Sequence, residues 1–186
     1  MRSFLSSILE IVEIAAIAIA AVFLIRSTII QPFLVSGSSM SPNFADGDYL
    51  LVDQLTYRFR QPERGEVAVF HFHPTVNDES TYFIKRIVGL PGEEIRVKNG
   101  EITIINNSHP DGFVLGEKYL PPGTDTSGNT DTVLGTNEYF VLGDNRSYSF
   151  DSRSWGKLQD KDIVGLVRLR LWPPKDATVF AAPQFN

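Results

Sequence analysis

The sequence contains no cysteine. That excludes disulfides, thiolate nucleophiles and cysteine-based zinc sites, and it removes thiols as a guide to compartment. Basic charge is also in short supply: 17 Lys and Arg against 22 Asp and Glu give a formal net charge of −5. Nothing here supplies the positive patch that nucleic acid requires, so no nucleic-acid partner is expected. There is no Gly-x-Gly-x-x-Gly, no P-loop and no internal repeat, which sets aside dinucleotide folds, nucleotide cradles and solenoids. Histidine is scarce as well. The 3 present are His71, His73 and His109, none of them near a Ser and Asp pattern resembling a triad. His71-x-His73 alternates as on one strand face, but two ligands without a suitably spaced carboxylate are weak as a metal site. They read as solvated surface residues, and neither a metal nor a cofactor is expected.

Only one long hydrophobic run is present, at the N-terminus. Ile14 to Ile25 is apolar throughout, and Phe4 to Ile25 is interrupted by Glu10 and Glu13 among mostly apolar residues. A membrane span needs ~20 residues, so this run is long enough. The two glutamates lie three apart on one helical face, which suits a position near one interface, protonation, or a partner; a surface-lying amphipathic helix is the alternative. Ala16, Ala18 and Ala20 form small-x-small triplets inside the run, whereas a signal-peptide cleavage site belongs after it. The expectation is an uncleaved transmembrane anchor over residues 4–26, followed by one domain over residues 30–186. Arg2 and Arg26 flank the run and give little charge asymmetry. The expected orientation is single-pass in the cell membrane, N-terminus cytoplasmic and the bulk on the non-cytoplasmic side.

Beyond the run, short β-rich segments alternate with turn residues, which predicts an all-β domain. Candidate strands are 49–53, 66–72, 82–88, 94–98, 101–105, 138–142 and 163–171. The clearest is the pair 94–98 and 101–105, joined by Asn99-Gly100, a two-residue turn whose twist matches that of paired strands. Residues 71–80 and 106–137 read as loops, the second as a small β excursion from the main core.

The stretch Val35-Ser36-Gly37-Ser38-Ser39-Met40-Ser41-Pro42-Asn43-Phe44 favours an irregular turn that points hydroxyls and amides outward. On its own it serves equally as a nucleophile loop or as a connector. A serine nucleophile needs a base. Without a suitable histidine, the base compatible with serine is lysine, provided burial strips the ammonium of its proton. Lys85 lies in Tyr82-Phe83-Ile84-Lys85-Arg86-Ile87-Val88, where strand alternation puts it on one face with Phe83 and Ile87. The alternative is that Lys85 and Arg86 are a charged pair on a half-exposed strand.

At three blocks the sequence resembles type I signal peptidases, membrane-anchored Ser-Lys proteases that remove signal peptides from exported proteins. Ser39-Met40-Ser41-Pro42 resembles the nucleophile motif Ser-Met-x-Pro. Residues 85–92 resemble the lysine block, and Gly143-Asp144-Asn145-Arg146 with Asp151-Ser152-Arg153 resembles the third signature. The resemblance implies a signal-peptidase-like β-sheet core, Ser39 as nucleophile in preference to Ser38, and Lys85 as general base. It also implies that the Ser149 hydroxyl positions the lysine amine, that Asp151 and Arg153 form a supporting ion pair, and that Asp144 and Arg146 brace the same corner. Desolvation is expected to lower the Lys85 pKa, with Arg86 and Arg153 assisting as like charges. Val35, Met40, Phe44, Phe83 and Ile84 match positions able to wall shallow pockets for small residues in an Ala-x-Ala-like site, and equally read as core. The sequence departs from one branch of the family at Gly37, where a serine hydroxyl completes the oxyanion hole; the Ser39 amide remains as a donor.

The implied partners are preprotein signal peptides and membrane lipid. Two other readings are a self-cleaving Ser-Lys repressor-like protease, which should carry a DNA-binding helix pair where this chain has its apolar run, and a membrane-tethered β-domain that binds peptides without catalysis. No feature fixes an oligomeric state.

Overall fold

The computed structural model describes residues 10–22, 29–74 and 80–181. Residues 10–22 form a helix, α1, exposed along its length. The anchor expected over 4–26 therefore lies partly outside the described residues, and among those described no helix is long and apolar enough to cross a membrane.

The rest is all-β, as the alternation predicts. The strands are β1 (Ile30–Leu34), β2 (Tyr49–Asp53), β3 (Val67–Phe72), β4 (Thr81–Gly89), β5 (Glu94–Lys98), β6 (Glu101–Asn106), β7 (His109–Val114), β8 (Thr130–Val133), β9 (Glu138–Leu142), β10 (Leu158–Gln159), β11 (Ile163–Trp172) and β12 (Thr178–Val179). A one-turn helix, α2 (Ser152–Trp155), follows β9 and is capped by the Asp151 carboxylate. An 8-stranded sheet runs β1-β2-β11-β3-β4-β9-β10 with β12 added at β11, and a 4-stranded sheet runs β7-β6-β5-β8.

The smaller sheet follows from its sequence with little ambiguity. In β5 and β6 the inward residues Ile95, Val97, Ile102 and Ile104 are fully buried, each worth about 1.5–3 kcal/mol of transfer free energy. Asn99 and Gly100 join these strands with φ of 54° and 86°, the left-handed pair that a tight hairpin turn requires. The inward residues pack with Val88, Phe140 and Leu142, so β4 and β9 of the larger sheet close the same core.

Five strands lie outside the candidates, the two-residue β10 and β12 and three longer ones. β1 passes through Pro32 and, among the described residues, sits at the edge of its sheet with β2 as its one partner, a position that tolerates a residue without an N–H. β7 (His109–Val114) and β8 (Thr130–Val133) fall inside the 106–137 segment and flank the hairpin. They turn the anticipated β excursion into the two outer strands of the second sheet. In the other presumed loop, His71 and Phe72 belong to β3, while residues 75–79 lie outside those described.

Candidate active site

Val35 leaves β1 and the chain turns: the Ser41 amide donates to the Ser38 carbonyl at 3.1 Å and the Phe44 amide to the Met40 carbonyl at 3.0 Å. Met40 and Phe44 plug this turn into the core with Val35, Leu50 and Val52, and Phe44 packs on Phe180 with ring centroids 4.6 Å apart. Anchored in this way, the turn presents Ser39 to β4. There the Lys85 Nζ donates to the Ser39 Oγ at 2.8 Å and to the Ile84 carbonyl at 2.9 Å.

Lys85 is 4% exposed and its Nζ lies 5.1 Å from the centre of the Phe83 ring. Burial pulls its pKa from the ordinary lysine value down to about 8, against Asp151 and Asp144, which act to raise it. Desolvation is the cause that was expected. The expected help from Arg86 and Arg153 is corrected, because each guanidinium is bound to a carboxylate: Arg86 to Asp144 at 2.7 Å through Nε, and Arg153 to Asp151 at 2.8 Å through both Nε and a terminal nitrogen. The neighbours acting on the amine are therefore the two acids. Nor are Lys85 and Arg86 a half-exposed pair, since both are buried and point to different partners.

The third motif block lies against the serine turn. The Asn145 amide donates to the Ser39 carbonyl at 3.0 Å, and its side chain donates to the Ser38 carbonyl at 3.0 Å. Gly143 permits this approach: a Cβ there would sit 2.1 Å from the Ser149 Oγ and 2.4 Å from the Ser39 carbonyl oxygen. No other residue fits. Asp151 caps α2 and also accepts the Gly143 amide at 3.0 Å. Asp144 and Asp151 are thus buried, bonded braces, not solvated turn charges. Arg146, also buried, binds the Glu117 carboxylate and the Thr126 hydroxyl. Among the described residues the buried Ser149 Oγ has no hydrogen-bond partner, and the two bonds of Lys85 given above do not include it.

A cleft of about 430 Å³ opens over the dyad. Of the anticipated pocket residues, Val35, Phe83 and Ile84 line it, whereas Met40 and Phe44 lie beneath it, fully buried. Sequence reasoning missed Phe33 and Leu34 on β1, Leu50 and Val69 on the floor, and Tyr82, Tyr148 and Phe150 on the rim. The outward alternation of Tyr148 and Phe150 about Ser149 was the one signal available for the rim. The Gly37 amide is held by Asp46 at 2.7 Å, so it does not face the cleft as a free donor. His71 stands against Tyr82, ring centroids 4.6 Å apart, and His73 is 4.0 Å from Asp162; neither is among the dyad's partners.

The chain is similar to known proteins over most of its length. Residues 8–172 match the family described as signal peptidase, peptidase S26. It is 34% identical to a probable signal peptidase I-2 of Synechocystis over 87% of this chain and 73% of that one. It is 30% identical to signal peptidase IB of Staphylococcus aureus over 89% and 90%. A solved signal peptidase I from Enterococcus faecalis aligns with 57% of this chain and 97% of its own, at 24% identity and a TM-score of 0.45. With the family's pattern matched across nearly the whole chain, the protein belongs to the signal peptidase family, peptidase S26, and is a serine endopeptidase.

Proposed function

We propose that this protein is a membrane-anchored endopeptidase that removes signal peptides from exported preproteins by acylation of Ser39, with Lys85 as general base in both half-reactions. The observation that carries the reading is the 2.8 Å bond between the Lys85 Nζ and the Ser39 Oγ, made by an amine whose pKa is pulled down to about 8. In its neutral form that amine takes the hydroxyl proton as the Oγ attacks the scissile carbonyl. It then gives the proton to the departing amine and activates water against the ester. The Ser39 amide faces the developing oxyanion. Ser149 acts as the orienting hydroxyl for Lys85, a reading supported by its buried, unpartnered oxygen beside Gly143 and the Ser39 carbonyl.

Residues 81–85 of β4 supply the substrate's strand-pairing edge. Among the described residues β4 pairs with β9 only from Arg86 onward, and none of them pairs with its earlier half on that side, while Phe33 of β1 meets Tyr82 across the cleft at 5.0 Å between ring centroids. An extended peptide entering there gains main-chain bonds irrespective of its sequence. Val35, Ile84 and Phe83 wall shallow pockets that admit small residues.

The anchor spans residues 4–26 and the catalytic domain, 30–186, lies on the non-cytoplasmic side against the bilayer. Support comes from Leu34, Tyr49 and Trp172, all exposed and adjacent in register across β1, β2 and β11 beside the cleft. A second support is an apolar hollow of about 610 Å³ bordered by Ile29, Leu51 and Phe59. The experiment is to incubate the detergent-solubilised protein with a preprotein and map the cut. A single cut after small-x-small, lost in Ser39→Ala, is expected; binding without cleavage would favour the non-catalytic peptide-binding domain.

A further inference from the structure

The segment 117–127 sits in the stretch that reads as a loop or small β excursion, yet it touches the lysine block, the third signature and the residue that follows the nucleophile motif. The Tyr119 carbonyl accepts the Asn43 side-chain amide at 2.9 Å, four residues beyond the nucleophile. The Tyr119 ring lies 4.1 Å beneath the Arg86 guanidinium, next to the general base. The Glu117 carboxylate binds Arg146, and the Ser127 carbonyl accepts from Arg153 at 3.0 Å. The segment is itself tied down, since the Thr126 amide donates to the Gly100 carbonyl of the β5–β6 turn at 2.8 Å.

Asn43 is where this segment meets the nucleophile loop. One amide nitrogen donates both to the Tyr119 carbonyl and, at 2.8 Å, to the Asp144 Oδ2. That carboxylate is the one held by Arg86. We propose that residues 117–127 are a strap that holds the serine loop in register with the general base, with Asn43, Tyr119 and Glu117 as positioning residues. None of the three lines the cleft, so they act through the residues they hold and not on substrate.

The strap has an electrostatic consequence as well as a geometric one. Lys85 is faced by Asp144 and Asp151, both of which favour its protonated form. The Asp151 charge is offset by Arg153 and the Gly143 amide, and the Asp144 charge by Arg86 and Asn43. Tyr119 holds Arg86 from its free face, while the Gly65 carbonyl accepts from the same guanidinium at 2.7 Å. Weakening the strap leaves the Asp144 charge less compensated and strengthens the hold of Lys85 on its proton.

The inference rests on the Ser39–Lys85 reading, and the test separates the two. Single-turnover cleavage of a peptide with a small-x-small site is followed across pH with the full chain in detergent. An active Ser39→Ala removes the dyad reading, whereas the strap is judged on variants that keep both dyad residues. Asn43→Ala is expected to lower kcat about 10- to 100-fold, the scale of a misplaced reacting atom, with KM nearly unchanged. Asn43→Asp sets a second carboxylate against Asp144 and is expected to move the rate midpoint above that of the unaltered protein, so that its deficit shrinks as pH rises. Tyr119→Phe keeps the ring over Arg86 and is expected to recover most of the rate lost in Tyr119→Ala. Wild-type kcat in both alanine variants overturns the proposal. So does a loss that tracks only the folded fraction while the Asn43→Asp midpoint stays fixed.

Discussion

The two sheets bury different chemistry. The cluster that the 4-stranded sheet shares with β4 and β9 is wholly apolar, and in β5 the charged Glu94, Arg96 and Lys98 alternate with buried Ile95 and Val97. At the end of the larger sheet where β4 meets β9, Lys85, Arg86, Asp144, Arg146 and Asp151 are all buried within a few residues of one another in space. Burying that many charges contributes little net stability, because desolvation offsets most of the Coulomb gain even where the bonds are good. What the arrangement contributes is a fixed position for an amine and a hydroxyl, plus a low-dielectric setting in which the amine sheds its proton near neutrality. The apolar clusters of both sheets supply stability, and the end of the larger sheet spends some of it on chemistry.

The largest expected effect lies on the charged side of that comparison. Ser39→Ala and Lys85→Ala should each lower single-turnover cleavage by at least about a thousandfold. Lys85→Arg should be as inactive as Lys85→Ala, since a guanidinium keeps its proton at any working pH. His71→Ala, His73→Ala and His109→Ala should retain most activity. In the unaltered protein the rate should rise with pH through about 8 as Lys85 becomes neutral. An active Lys85→Arg, or a flat profile between about pH 7 and 9, would remove the dyad.

Next come substitutions that separate stability from rate. Ile104 is fully buried in the apolar cluster, so Ile104→Ala should cost about 2–5 kcal/mol in denaturant unfolding while the rate per folded molecule is kept. Arg153→Ala leaves the fully buried Asp151 without its guanidinium, which should cost about 3–5 kcal/mol. It should also depress the rate, because an uncompensated Asp151 holds the Lys85 proton on. If both variants lose only stability, the two sheets do not differ in the way described.

The same contrast explains what could be read from the sequence. Strands β5 and β6 were legible because one face is apolar and one is wet, and the Asn99-Gly100 turn fixes their register. The order of the three motif blocks was legible because the resemblance carries their spacing. Alternation failed in the second half of β4, where Lys85 through Gly89 are all buried because both faces are covered. The roles of Glu117, Tyr119 and Asn43 were invisible, since their partners lie 29 residues away for Glu117 and 76 to 101 away for Asn43, and no local pattern encodes such pairs. Met40 and Phe44 matched pocket positions but face the core, a distinction that turns on side-chain direction and not on residue type.

A smaller effect of opposite sign follows from the cost of Lys85 itself. Its pKa is lower folded than unfolded, so on acidification the unfolded chain takes up this proton first. Stability is lost as pH falls from about 10.5 to about 8 and is constant below that. The full cost is about 3 kcal/mol. Lys85→Met, which fills the same space without the charge, should therefore raise stability by up to that amount near neutrality and by nothing above about pH 10.5. Stability measured by denaturant unfolding at several pH values checks both limits, and a gain that does not fade at high pH would point to packing instead.

The smallest effect belongs to the outer face of the 4-stranded sheet. Arg96 on β5 bonds Glu94 at 2.6 Å and reaches Asp131 of β8 at 3.3 Å, with its side chain 46% exposed. On paper this resembles the Arg153–Asp151 pair, as a guanidinium bound to carboxylate at similar distance. Water decides the difference. Exposed pairs contribute about 0–1 kcal/mol, because the solvent screens them and long side chains lose rotamer freedom to meet. Arg96→Ala should therefore change stability by less than about 1 kcal/mol, and any loss should shrink further in high salt, where the screening length falls to about 3 Å. Cleavage should be unaffected, since Arg96 reaches neither the dyad nor the strap. Unfolding at low and high salt, set beside the same series for Arg153→Ala, measures the contrast directly: a cost at Arg96 comparable to that at Arg153 would mean that burial does not separate the two sheets.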